Sequence, residues 1–153
     1  MLVIFCFIGE TCKCFKDGCS NYTFKVESST SNWENSRQFC KQTGLGDLVS
    51  IENDEEWTFL KKFILNLAKA EEYFIGLRSD KARKWKWLSN NSTLNESYWA
   101  RNEPKGDGRC AVIYMDYLKD YGKYNDLSCT TEKRQGYICE LPVDNCDQEG
   151  KSN

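Results

Sequence analysis

The chain has 153 residues with nine Cys, no His, 8 Phe, 8 Tyr and 5 Trp, and its 21 basic and 23 acidic residues leave a formal charge of −2. Without imidazole there is no Ser-His-Asp or Cys-His nucleophile pair, no His general base and no His-ligated zinc. An enzyme would need a carboxylate pair or an activated thiol, and the interspersed charges give no electrostatic footprint for nucleic acid.

A length near 150 fits one domain able to bury roughly 70% of its unfolded surface, so staples are not needed merely to fold. Cysteine is nevertheless abundant and shows no repeated CxxC spacing. That points to a disulfide framework in an oxidising compartment, and hence to a secreted or extracellular chain, alone or as the ectodomain of a larger protein.

The apolar run Leu2 to Ile8 is far shorter than the 18 or more residues a membrane helix requires. It resembles the hydrophobic region of a secretory signal but lacks a basic flank. Residues 1–11 are therefore assigned to a signal or truncated leader, with a hydrophobic first strand as the competing reading. A single domain is expected over 12–142, followed by a polar tail over 143–153, with no membrane insertion by the domain itself. Asn-x-Ser/Thr sequons at Asn21, Asn90, Asn91 and Asn95 mark exposed surface for glycosylation, and the three clustered ones predict a solvated loop.

Ser31-Asn-Trp-Glu34 has the form of a capping box, and Trp33, Ser36, Phe39 and Cys40 then recur on one helical face until Gly44 and Gly46 end it. A second helix takes Asn53 as cap, places Asp54, Glu55 and Glu56 at the positive end of its dipole, and buries Trp57, Leu60, Phe63, Ile64 and Leu67. Short strands are predicted at 47–51, 73–77, 84–88, 110–115 and 136–140. Strands with two segregated helices imply an α+β fold with an antiparallel sheet. Between Leu88 and Arg109 lie about twenty polar residues, a length that in a compact domain usually serves function. The pair Tyr98-Trp99 argues that this loop packs.

Leu48-Val-Ser-Ile51, Phe74-Ile-Gly-Leu77, Trp85-Lys-Trp87, Glu103-Pro104, Tyr124-Asn-Asp126 and Tyr137-Ile-Cys-Glu140 occur in an order that resembles the C-type lectin-like domain, from about Cys19 to Glu140. The resemblance implies a C-type lectin-like fold of antiparallel sheets, two helices and a long irregular loop, stapled by disulfides Cys40–Cys139 and Cys110–Cys129. Chain entropy makes the long bridge worth roughly 4 to 5 kcal/mol and the short one roughly 3. The long form of the family adds an N-terminal bridge, here Cys19 with Cys12 or Cys14, leaving Cys146 for whichever of the two remains. The competing pairing joins Cys146 or Cys12 to a second copy, giving a disulfide-linked dimer.

The resemblance also implies a non-enzymatic module whose loop binds a glycan or glycoprotein. In sugar-binding members calcium takes oxygens from a Glu-Pro-Asn motif, a following acid and an Asn-Asp pair, which map onto Glu103, Asn125 and Asp126 with a cis Glu-Pro bond. Calcium needs six to eight oxygens, and two positions depart from the pattern. Lys105 replaces the motif's asparagine, and Gly108 stands where the second acid belongs, so Asp107 would have to substitute. Calcium-assisted sugar binding through Glu103, Asp107, Asn125 and Asp126 is one reading. In the other, Lys105 neutralises Glu103 and Asp126 without metal and the domain binds a protein. Glu103, Lys105, Tyr124, Asn125 and Asp126 are the candidate ligand contacts in either case. All five Trp are expected in the core rather than against a sugar, while Tyr117, Tyr121 and Tyr124 with Lys119, Asp120 and Lys123 are expected on a more exposed patch.

Overall fold

The computed structural model describes residues 7–26, 30–67, 70–94, 96–114, 120–132 and 135–146, with side chains at 7, 8, 64–67 and 96 outside that set. Asn95, Tyr117 and Lys119, and the side chains of Ile64 and Leu67, therefore lie outside the described residues. The chain opens with a hairpin of β1 (Phe7–Phe15) and β2 (Gly18–Val26). The expected leader boundary at residue 11 falls within β1.

Next come α1 (Trp33–Gln42), β3 (Asp47–Leu48), α2 (Asp54–Leu67), β4 (Glu72–Ser79), β5 (Trp85–Trp87), a 3-10 turn at Glu96–Tyr98, β6 (Cys110–Tyr114), β7 (Tyr124–Leu127) and β8 (Gly136–Val143). The strands form one sheet in the order β1-β2-β8-β4-β6-β7, with β3 on β8 and β5 on β4. All pairings are antiparallel except β4 with β8, so the sheet is mixed rather than purely antiparallel. That parallel seam joins two antiparallel halves, in register Tyr73↔Gly136. Only glycine fits at 136, since a Cβ there would sit 2.3 Å from the Tyr73 ring.

Both helices follow from local hydrogen bonding. The cap of α1 is Asn32, whose side chain accepts from the Asn35 N–H at 2.9 Å. Asn32 thus takes the role expected of Ser31, whose hydroxyl instead lies 3.5 Å from that of Ser36. Trp33, Ser36 and Cys40 are buried as the periodicity requires, and Cys40–Cys139 pins the helix to β8. Asn53 caps α2, accepting from the Glu56 N–H at 2.9 Å. Two apolar cores result, one around Tyr22, Val49, Leu60, Ile75 and Trp87, the other around Trp33, Leu48, Phe74, Val112 and Tyr137.

Where β2, β8 and the start of α2 meet, Glu56 is buried and Glu140 half-buried. Glu56 accepts from the Tyr22 hydroxyl at 2.7 Å and from the Glu52 N–H at 2.9 Å. Glu140 accepts from Ser20 at 2.8 Å and from the Ser50 N–H at 3.1 Å. Burial first, and Glu140 second, push the Glu56 carboxyl up to about 7, and burial likewise raises Glu140. A carboxyl raised on folding binds its proton more tightly in the native state. Its stabilisation is therefore complete below the unfolded value near 4.5 and is lost as pH rises through about 7. Urea unfolding should show stability falling by on the order of 2 kcal/mol between pH 5 and 8. Glu56→Gln should flatten that slope, and an unchanged slope would contradict the assignment.

Candidate ligand site

The long loop is built against β6 and β7, whose register sets Ala111 opposite Asp126 and Val112 opposite Asn125. Cys110–Cys129 closes the strand ends. On the loop's first half, Tyr98 packs on Trp57 with ring centroids 4.9 Å apart, and the Ala100 N–H donates to the Tyr124 carbonyl at 2.9 Å. Its second half begins at Glu103-Pro104, which is cis.

Asp126 organises the backbone of residues 105–108. It is 2% exposed. One of its oxygens accepts from the Lys105 N–H at 2.9 Å, the other from the Gly106 N–H at 2.9 Å and the Gly108 N–H at 3.3 Å. Charge-assisted bonds to backbone amides are stronger than neutral ones. Glu103 accepts from the Lys105 N–H at 3.1 Å and from the Lys105 ammonium at 3.0 Å, with the carboxylate side chain 5% exposed and the lysine 59%. Burial raises the Glu103 carboxyl, Lys105 pulls it back, and the adjacent Asp126 raises it again. Lys105 is itself raised by its bond to Glu103.

The structure brings Glu103, Lys105 and Asp126 together and leaves other candidates apart. Asp107 is exposed and Asn125 half-buried on β7. Tyr124 is 0% exposed and belongs to the core, packed on Trp87, Tyr98 and Trp99. It is therefore neither a ligand contact nor part of an exposed patch, because its place on β7 turns it inward. Tyr121 is also tied down, donating to the Lys61 carbonyl of α2. A Cβ on Gly108 would sit 1.8 Å from the Leu127 backbone, so an acid cannot stand there in this conformation.

Among the described residues, the only three or more Cys, Asp or Glu side chains whose ligand atoms lie within 4.8 Å of one another are Cys14, Cys19 and Cys146. The loop's acids are engaged by the chain itself: Asp126 accepts three backbone amides, Glu103 accepts the Lys105 ammonium, and a side chain at Gly108 has no room.

Three residues beside Glu103 were missed in the sequence. A cavity of about 480 Å³ is lined by Arg83, Trp85, Trp99, Glu103, Pro104, Lys105 and Gly106. Arg83, at φ 62°, donates to the Gly106 carbonyl at 3.2 Å. Trp85 and Trp99 meet edge to face at 4.8 Å and are only partly buried. The Trp-Lys-Trp pattern carried a usable signal. Its two indoles share one face of a three-residue strand, Trp87 reaches the core, and Trp85 is left at the rim.

At the N-terminal end, Cys12 pairs with Cys146 and Cys14 with Cys19. Cys12 and Cys146 are thus spent on each other rather than on a second copy. Asn21, Asn90 and Asn91 are exposed, and no helix among the described residues is long and apolar enough to cross a membrane.

The lectin C-type domain model matches residues 29–141. The chain belongs to the C-type lectin domain family. These are non-enzymatic binding modules. L-selectin of Rattus norvegicus is 33% identical over 143 residues, covering 88% of this chain and 37% of its own length, so the chain spans little more than a third of that relative. The cow CD23 carbohydrate-recognition domain, solved in the presence of a GlcNAc2Man3 oligosaccharide, is 30% identical with a TM-score of 0.65 over 83% of this chain and 90% of its own. The C-type lectin domain of murine dendritic cell inhibitory receptor 2, solved with an N-glycan, is 26% identical with a TM-score of 0.66 over 86% and 96%.

Asp126→Asn should cost about 2 to 4 kcal/mol in urea unfolding, because an amide nitrogen would face backbone donors. Gly108→Asp should destabilise the domain without creating a calcium response in thermal melting. A stable Gly108→Asp variant that melts higher in calcium would show that the loop accommodates the missing acid.

Proposed function

We propose that this chain is an extracellular recognition module that holds a glycan, free or on a glycoprotein, without calcium. The site is the cavity bounded by Arg83, Trp85, Trp99, Glu103 and Lys105. The observation that carries this reading is the Lys105 ammonium 3.0 Å from the Glu103 carboxylate, beside an Asp126 whose two oxygens already accept three backbone amides. The loop's acids are satisfied by the chain itself. Indole surfaces suit the apolar faces of a sugar ring, and the Lys105–Glu103 pair offers a donor and an acceptor to its hydroxyls.

The sugar ligands named for the cow and murine relatives support a glycan as the ligand class. Eight cysteines in four disulfides and exposed sequons at Asn21, Asn90 and Asn91 support an extracellular, N-glycosylated chain.

Retention on immobilised N-glycans and on mannan, in calcium and in chelator, tests this. Retention should be equal in the two buffers, and the melting temperature should move by less than about 1 °C, whereas a calcium site held at a hundred times its Kd would add about 2.7 kcal/mol, or roughly 5 to 11 °C. Lys105→Ala should weaken retention about tenfold, equivalent to about 1.4 kcal/mol. Retention abolished by chelator would establish a calcium-dependent lectin instead. No retention in either buffer would leave a protein ligand as the reading.

A further inference from the structure

The N-terminal hairpin carries chemistry that the ligand site does not use. Cys12 and Cys14 lie two apart on β1, and Cys14 stands directly opposite Cys19 on β2. The disulfides Cys14–Cys19 and Cys12–Cys146 come together there so that the Cys14 and Cys146 sulfurs are 3.6 Å apart, and those of Cys14, Cys19 and Cys146 all lie within 4.8 Å of one another. Cys14 is exposed and its three neighbours half-buried. By contrast Cys40, Cys139 and Cys110 are each 0% exposed, which shelters the other two bridges.

We propose that this four-sulfur cluster is a thiol-exchange site that takes up one small extracellular thiol as a mixed disulfide. A thiolate attacks the Cys19 sulfur, forming a bond to it and breaking Cys14–Cys19, and the electron pair leaves on Cys14. The Cys14 thiolate stands beside the Cys146 sulfur and attacks it, forming Cys14–Cys146 and expelling the Cys12 thiolate, which takes up the proton lost by the incoming thiol. One thiol is consumed, and the products are a mixed disulfide at Cys19, a Cys14–Cys146 bridge and a free Cys12 thiol. Two disulfides become two disulfides, with no net oxidation or reduction.

Attack of a thiolate on a disulfide sulfur is the ordinary course of exchange, and attack at the half-buried Cys19 releases the exposed Cys14, the sulfur that stands beside Cys146. The bridge first opened closes a loop only five residues apart in sequence, so of the four its opening removes the least stabilisation from the fold. The second step matters because a lone Cys14 thiolate would turn back on Cys19 and expel the incoming thiol. The nearby Cys146 sulfur gives it another target.

The test incubates the native full chain with reduced glutathione, quenches with an alkylating agent and maps disulfides by mass spectrometry. The expected map shows glutathione on Cys19, a Cys14–Cys146 bridge, an alkylated Cys12, and intact Cys40–Cys139 and Cys110–Cys129. In the Cys12→Ser/Cys146→Ser double variant, checked for an unchanged circular dichroism spectrum, Cys14–Cys19 remains but its trap is gone. Glutathione on Cys19 should then fall several-fold. A native map showing alkylated Cys14 and Cys19 with Cys12–Cys146 intact would overturn the proposal, as would an equal yield of adduct in the double variant. Glycan retention does not enter this test, so its outcome is independent of the proposed ligand.

Discussion

A single buried carboxylate fixes the shape of the ligand loop. Asp126 is fed from β7 into the space beneath residues 105–108 and gathers three backbone N–H groups there. A buried anion costs heavily unless its lone pairs are filled, and here the loop fills them. The same bonds bring the Lys105 main chain close, which lets its ammonium turn back on Glu103. Backbone amides thus engage both oxygens of Asp126, and the close approach of Gly108 to Leu127 leaves no space there for a further acid.

The loop's first half is held by different means. Trp57 of α2 donates its indole N–H to the Gly122 carbonyl at 2.7 Å, packs at a tilt against Tyr98 and carries the Lys61 ammonium 3.8 Å from its ring centre. Lys123 adds a bond to the Ser97 carbonyl at 3.0 Å. Cation–π contacts of this kind contribute on the order of 0.5 to 1 kcal/mol where exposed, so the brace rests on several small terms around one indole. Its effect is to present the rim of Trp85 and Trp99 beside Glu103 on a supported frame.

Most of the fold was legible because period and caps act locally. The stripe Trp33, Ser36, Cys40 and the Asn53 cap are visible in short windows of sequence, and the ordered motifs from Leu48 to Glu140 marked the family. What escaped was set by tertiary partners. β2 is central, with Thr23 and Lys25 buried as well as Tyr22 and Phe24, so it lacks the in-out alternation of a half-exposed strand. The parallel pairing of β4 with β8 joins segments some sixty residues apart and leaves no local trace.

The site was legible in its residues more than in its roles. Glu103, Lys105 and Asp126 were recognisable from the motif, but whether Asp126 faces an ion or three amides depends on the loop's path. Tyr124, flanked by polar residues, suggests a surface position until β7 turns it inward, and Arg83 reaches the cavity through a left-handed turn. Backbone amide hydrogen exchange in chelator, followed by NMR, is the most direct measurement of whether Asp126 and Lys105 close this loop without metal. Slow exchange at Lys105, Gly106 and Gly108, unchanged when calcium is added, is the predicted result. Fast exchange in chelator that becomes slow only with calcium would contradict it.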